Sequence, residues 1–365
     1  MNKLRVGILG CGNISANYIK HARMFSILDV VSCADLMVDR AKSVAAQHGI
    51  PKGYSVEEML ADKDVDLVIN LTIPAAHGAV ALAALRAGKH VWNEKPLALD
   101  RQEGQQVVAE AQQRGLRLGG APDTFFGAGH QTARRVIDSG AIGKPVAVTA
   151  FMMCPGHERW HPNPEFFYKP GGGPMFDMGP YYLTAMLNMF GPMKRVMGFT
   201  SITRPTRVIG SEPLKGKIVN VETPDHYSCS IEFHSGVIGT LVTSFATWFA
   251  PHPPITVFGS EGSLSVPDPN GFDGKVQIRR AADAEWTDVP FEHRMGYGRS
   301  VGVADMAHAL VSNRPHRASG QQIFAVLDAM QASMESSQLG KAIEINSPYE
   351  RPAPLPTGLA EGVLD

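Results

Sequence analysis

The segment Leu4-Arg-Val-Gly-Ile-Leu-Gly10-Cys-Gly12-Asn-Ile-Ser15 leaves this chain few folds to choose from. A short apolar run ends in two closely spaced glycines and passes at once into a helical pattern, so the backbone must turn sharply and present bare amides where the helix begins. The alternation continues to about Gly120. Strands are predicted over Leu4–Leu9, Val30–Ala34, Val65–Leu71, His90–Trp92 and Leu116–Leu118. Helices are predicted over Asp39–His48, stopped by Gly49, and Ala75–Ala87, stopped by Gly88 with Lys89 beyond. Right-handed crossovers of this kind wind into a doubly wound parallel sheet, an α/β Rossmann arrangement.

After Gly143-Lys-Pro145 the pattern changes. Pro145–Cys154, Thr223–Phe233, Val237–Thr247 and Ile255–Val257 read as longer strands joined largely by hairpins, one of them turning at His234-Ser-Gly236. A chain of 365 residues is long for one domain. The division expected is a nucleotide-binding domain over 1–122 and an α+β domain with an open, largely antiparallel sheet over 123–365. Late helices are predicted over Val301–Val311 and Gln321–Ser336, ahead of a tail in which Pro348, Pro352, Pro354 and Pro356 forbid regular helix. Ile231, Phe233, Leu241 and Phe245 are expected to leave an apolar sheet face uncovered, and with it a homodimer or homotetramer.

Charge argues against polyanionic partners. With 34 Lys and Arg against 35 Asp and Glu, and no charge run, neither nucleic acid nor a membrane surface is an expected partner. Cys11, Cys33, Cys154 and Cys229 form no CxxC pair, and glycines cut the N-terminal apolar run short of a signal-peptide core, so a cytoplasmic setting is expected.

Gly10, Gly12, Asn13 and Ile14 are the expected pyrophosphate seat, with Ser15 where a third glycine often stands. Asp35 closes the second strand, followed by Leu36, at the place where a carboxylate accepts hydrogen bonds from the adenine-ribose hydroxyls. A 2′-phosphate would meet negative charge there, so NAD is expected over NADP, although Arg40 offers NADP a partner.

Further along, Asn70-Leu-Thr-Ile-Pro74-Ala-Ala-His77, Gly88-Lys-His-Val-Trp-Asn-Glu94-Lys95-Pro96, Gly171-Gly-Gly-Pro-Met-Phe-Asp177-Met-Gly179 and Phe258-Gly-Ser-Glu-Gly262 follow in order. In these segments the chain resembles the Gfo/Idh/MocA family of sugar and inositol oxidoreductases. The resemblance implies a Rossmann domain followed by a sheet-faced substrate domain, with nicotinamide and sugar meeting in the cleft between them. It also implies cofactor contacts at Thr72, Pro74, His77, Glu94 and Lys95. The family typically carries Asp-x-x-x-His after the glycine loop, whereas this chain reads Asp177-Met-Gly-Pro-Tyr181, as in the glucose-fructose oxidoreductase branch. The catalytic unit so implied is Lys95, Asp177 and Tyr181, with Tyr182 as the competitor for the acid/base and otherwise a substrate contact.

His157-Glu-Arg-Trp-His161 matches the HExxH zinc pattern, but Pro155, Pro162 and Pro164 oppose the helix that pattern needs, so no metal is expected. Polar groups beside an indole suit a carbohydrate instead, which makes His157, Trp160 and His161 candidate substrate contacts. Ala121–Phe126 stands where many family members carry an arginine-containing segment, which adds Asp123 and Phe125 to that set. The expected activity is NAD-dependent hydride transfer at a secondary alcohol of a sugar, glycoside or cyclic polyol. The alternatives are a redox-neutral NAD-using glycosidase or aldose-aldose oxidoreductase, and a non-catalytic dinucleotide sensor.

Overall fold

The computed structural model describes residues 3–248 and 251–365. In the first part of the chain, strands β1 (Leu4–Leu9), β2 (Leu28–Ala34), β3 (Lys52–Tyr54), β4 (Leu67–Asn70), β5 (His90–Asn93) and β6 (Leu118–Gly120) pair in the order β3-β2-β1-β4-β5-β6. Every pair is parallel. Between them run helices α1 (Ser15–Ala22), α2 (Val38–His48), α3 (Val56–Ala61), α4 (His77–Arg86) and α5 (Arg101–Gln113). The order reverses between β1 and β4, and there the carboxyl ends of the strands open a crevice for ligands.

The pattern reading missed β3, α3 and α5. Three-residue β3 is too short for a period-2 signal, and α3 rests on a capping box in which Ser55 and Glu58 satisfy each other's backbone amides. The helix predicted over Ala75–Ala87 begins instead with a 3₁₀ turn at Pro74–Ala76. The last strand lies two residues later than predicted and contains Gly119 and Gly120, because the backbone of a neighbouring segment crosses it: a Cβ on Gly119 would stand 2.5 Å from the Ala318 carbonyl.

The remaining strands are β7 (Pro145–Met153), β8 (Met193–Ser201), β9 (Thr206–Val208), β10 (Ile218–Asn220), β11 (His226–Phe233), β12 (Ile238–Ser244), β13 (Ile255–Gly259), β14 (Gly262–Val266), β15 (Gln277–Arg280), β16 (Thr287–Asp288) and β17 (Ile343–Glu344). Among the described residues β9 and β10 form a small hairpin sheet, and the others form a nine-stranded sheet, antiparallel except between β7 and β12. Helices α6 (Ala128–Asp138), α7 (Gly173–Asp177), α8 (Gly179–Phe190), α9 (Val301–Val311) and α10 (Gly320–Leu339) complete the chain. No described helix is long and apolar enough to cross a membrane.

The two compact units are not consecutive in sequence. The first takes the residues through Gln131 together with Phe291–Leu327 and Pro352–Asp365; the second takes Thr132–Pro290 and Asp328–Arg351. A single division after residue 122 therefore does not describe them. In the first unit α9 crosses the sheet so closely that a Cβ on Gly302 would overlap the Trp92 ring.

The uncovered sheet face of the second unit differs from the one expected. Ile231, Phe233, Leu241 and Phe245 are all buried, and Phe233 meets Phe190 of α8 at 5.5 Å. Strand alternation puts their neighbours outward instead: Ser228, Ser230, Thr240, Met197, Phe199, Ile238 and Phe258. That face is rich in Ser and Thr, with scattered large apolar groups, Phe199 being 68% exposed.

Candidate active site

The turn after β1 is built from backbone. Gly10 has φ +101°, and a Cβ there would lie 2.6 Å from the Leu71 carbonyl oxygen, so only glycine lets β1 pass so close to the end of β4. Gly12 and Asn13 lie exposed at its tip, and a Cβ on Gly12 would meet nothing within 4 Å. Helix α1 opens at Ile14 with no side-chain cap, while the Ser15 hydroxyl donates back to the Gly12 carbonyl at 2.7 Å. An open glycine at an uncapped helix start fits a dinucleotide pyrophosphate.

Asp35, buried at the end of β2, accepts from the amides of Cys11 at 2.9 Å and Met37 at 2.9 Å. It thereby ties the turn to the second strand and leaves further lone pairs on both oxygens for ribose hydroxyls. Arg40 stands 3.7 Å away and Leu36 is almost fully exposed beside it.

Around the Glu94-Lys95-Pro96 turn, side chains fix the backbone. Glu94 accepts from the Tyr18 hydroxyl at 2.8 Å and from the Lys95 amide at 2.8 Å. His77 is buried between two carbonyls, Nδ1 at 2.6 Å from Pro96 O and Nε2 at 3.0 Å from Thr72 O, and burial holds its pKa below the ordinary histidine value. It thus braces the Lys95 turn against the loop after β4. The Thr72 hydroxyl donates to Asn70 at 2.7 Å, and Pro74 opens the 3₁₀ turn above it. Lys95 itself is half-buried at the carboxyl end of β5.

Two expected substrate contacts are interior residues. Asp123 is fully buried, 3.5 Å from Arg299 and accepting from the Gly302 amide at 3.3 Å, and desolvation pushes its carboxyl up to about 6. Phe125 is buried against Phe126, with ring centroids 4.4 Å apart. The arginine-lacking segment has turned inward, where its acid anchors the start of α9.

In the second unit His157, Glu158 and Arg159 form a 3₁₀ turn, not an α-helix. Consecutive side chains go to different partners. His157 Nε2 lies 3.1 Å from Asp177 Oδ2. Glu158 accepts from Arg207 at 3.0 Å and from the Tyr168 hydroxyl, and Arg207 also donates to Asp225 at 2.6 Å. The carboxylate an HExxH enzyme would turn on water is committed to a buried ion pair. Trp160 is 63% exposed, and His161 accepts from the Asn163 amide at 3.1 Å.

Asp177 ends α7, and Tyr181 lies buried in the first turn of α8. The neighbouring Tyr182 donates its hydroxyl to the Phe151 carbonyl at 3.3 Å, and burial raises its pKa well above that of an ordinary phenol. Sequence reasoning had His157 and Asp177 separately but missed their pairing. It also missed Tyr18, Arg207 and Asp225, which no local motif marks.

Comparison with known proteins agrees with this architecture. Residues 4–120 match an oxidoreductase family with an NAD-binding Rossmann fold, and residues 130–265 match the Gfo/Idh/MocA C-terminal domain. The chain is 31% identical to 1,5-anhydro-D-fructose reductase of Ensifer adhaerens, over 71% of this chain and 74% of that protein. It is 30% identical to trans-1,2-dihydrobenzene-1,2-diol dehydrogenase of Bos taurus, over 73% and 75%. Among solved structures, an NAD-binding oxidoreductase from Klebsiella pneumoniae superposes with a TM-score of 0.82 at 21% identity, over 94% of this chain and 99% of that one. The glycine turn, the Lys95 loop and the two matched domains together make this chain a member of the Gfo/Idh/MocA family of NAD-binding oxidoreductases.

Proposed function

We propose that the chain transfers a hydride between nicotinamide and a secondary alcohol of a sugar, glycoside or cyclic polyol, with NAD preferred over NADP. One observation carries this reading: all strands of the first sheet are parallel, so the Gly10–Asn13 turn, Asp35 and Lys95 emerge at the same edge. A pyrophosphate seat, a ribose acceptor and an ammonium are thereby collected in one unit. The two relatives add support, since by name they act on an anhydrofructose and on a cyclic diol.

When bound, NAD supplies the hydride acceptor; proton handling falls to the protein. Tyr181 takes the proton from the substrate hydroxyl. Asp177 orients a neighbouring substrate hydroxyl by a charge-assisted hydrogen bond, and in the first unit the Lys95 ammonium stands at the strand edge where the cofactor binds. Trp160 and His161 offer an indole face and an imidazole to the sugar ring. The four free cysteines support a reducing, cytoplasmic setting. A second copy of the chain covers the Ser- and Thr-rich sheet face, which light scattering checks: a monomer at micromolar concentration refutes it.

The test is NAD reduction across inositols, aldoses, anhydrosugars and glycosides, followed by Tyr181→Phe on the best substrate. This variant keeps the ring and removes the hydroxyl. NAD binding should be unchanged while kcat falls on the order of 10²–10⁴-fold, the scale of losing a general acid/base. Turnover largely retained, with chemistry rate-limiting, would assign the proton transfer to another group.

A further inference from the structure

The fifth position of the family's Asp-x-x-x-His pattern is a tyrosine here, yet an imidazole still reaches the aspartate. We infer that His157, twenty residues upstream, is the positioning residue for Asp177: it donates from Nε2 to Oδ2, fixes the carboxylate's rotamer, and directs the other oxygen to the reacting groups. The inference rests on the proposed role of Asp177.

The surroundings of the ring decide which way the proton points. His157 is enclosed by Phe245 at 4.4 Å, Phe167 at 4.5 Å and Trp160 at 5.2 Å between ring centroids. Its Nδ1 is buried and has no hydrogen-bond partner among the described residues, whereas Nε2 has the carboxylate 3.1 Å away. A proton on Nδ1 would face aromatic carbon; a proton on Nε2 makes a charge-assisted bond. The Nε2–H tautomer is therefore selected. The side chains of both partners are mostly buried, at 12% and 18% exposure, so water competes weakly for the bond.

The enclosing rings come from different parts of the chain. Phe245 lies just beyond β12, and Phe167 lies in the 3₁₀ turn Glu165–Tyr168. Three separate segments thus set the plane of the imidazole, and α7 brings Asp177 to it. A carboxylate held this way has less orientational freedom to lose when substrate binds, which is where such a residue contributes to rate.

The experiment compares His157→Phe, His157→Gln and Asp177→Asn in the full-length protein. His157→Phe keeps an aromatic ring and deletes the donor; kcat should fall on the order of 10²-fold, the scale of a misplaced catalytic group, with NAD affinity unchanged. Gln carries an amide nitrogen near the place of Nε2, so His157→Gln should recover most of that loss. Independently of turnover, ¹⁵N spectra of the native protein should show the His157 ring as the Nε2–H tautomer. Equal damage in the Phe and Gln variants, an Nδ1–H tautomer, or full activity in His157→Phe would each overturn the inference. If His157→Phe is fully active while Asp177→Asn is dead, only the positioning role fails. If Asp177→Asn keeps wild-type turnover, the role assigned to Asp177 fails and takes this inference with it.

Discussion

The turn at Gly10–Asn13 and the loop at Gly156–His161 both follow a strand through a glycine of positive φ, yet they are held by different means. In the first, every contact has the backbone on at least one side: Gly10 lies against the Leu71 carbonyl, the Cys11 amide donates to the Asp35 carboxylate, and the Ser15 hydroxyl donates to the Gly12 carbonyl. The second is side chain set against distant side chain: His157 on Asp177, Glu158 on Arg207, Arg207 on Asp225. A backbone-built seat tolerates side-chain change wherever no Cβ clashes, and a side-chain-built cradle fails when one partner is removed.

The largest effect should come from the cradle. Arg207 is 1% exposed in its side chain and is ion-paired with two buried carboxylates. Arg207→Met should destabilise the second unit by about 3–5 kcal/mol, the usual cost of leaving a buried charge unpaired, as read by urea unfolding. A loss below about 1 kcal/mol, within the range of an exposed pair, would show that water reaches Glu158 and Asp225 and would erase the contrast.

The glycine turn sharpens the comparison through two variants that ought to separate. Gly10→Ala combines a disfavoured φ with a Cβ 2.6 Å from the Leu71 carbonyl, so stability should fall by about 1–3 kcal/mol and NAD binding with it. Gly12→Ala has room for its Cβ, so unfolding should shift by no more than about 0.5 kcal/mol while NAD affinity drops, because the methyl projects where the cofactor must approach. Should both bind NAD normally by fluorescence titration, the pyrophosphate does not sit on this turn.

The smallest effect is a hidden pH dependence inside the first unit. Asp123 is raised from 3.8 to about 6 by burial, so the native state holds its proton more tightly and stability falls as pH rises from about 4 to 6. His316 is lowered from 6.5 to about 4, also by burial, so stability rises over nearly the same window. The two slopes oppose each other. Asp123→Asn should expose the upward slope and His316→Gln the downward one, each at most about 1 kcal/mol per pH unit. Thermal melts between pH 4 and 6.5 that show the same slope in both variants would contradict the pairing.

This contrast also sets how far the sequence could be read. Gly10, Gly12 and Asp35 obey local spacing rules, so the turn, its strand and its helix were legible, as were Val301–Val311 and the hairpin at Gly236. Asp123 and Phe125 were misplaced because a loop at a strand end gives no local sign of which way it faces; burial beside Arg299 and Phe126 decided it. Ile231 and Leu241 were assigned to the open face because alternation separates two faces without saying which one the helices cover. The union of His157 and Asp177 spans segments that only the fold brings together.

The interrupted course of the first unit has a consequence for how the protein is made. Helix α9, which covers Trp92, belongs to Phe291–Leu327, and the ribosome reaches that stretch only after all of Thr132–Pro290. At about 5–20 residues per second the nascent nucleotide-binding sheet waits on the order of 10–30 s with that apolar surface unprotected. During the same interval most of the second unit emerges, including β11 and β12, which pair as a hairpin. Slow codons within Thr132–Pro290 would prolong that exposure.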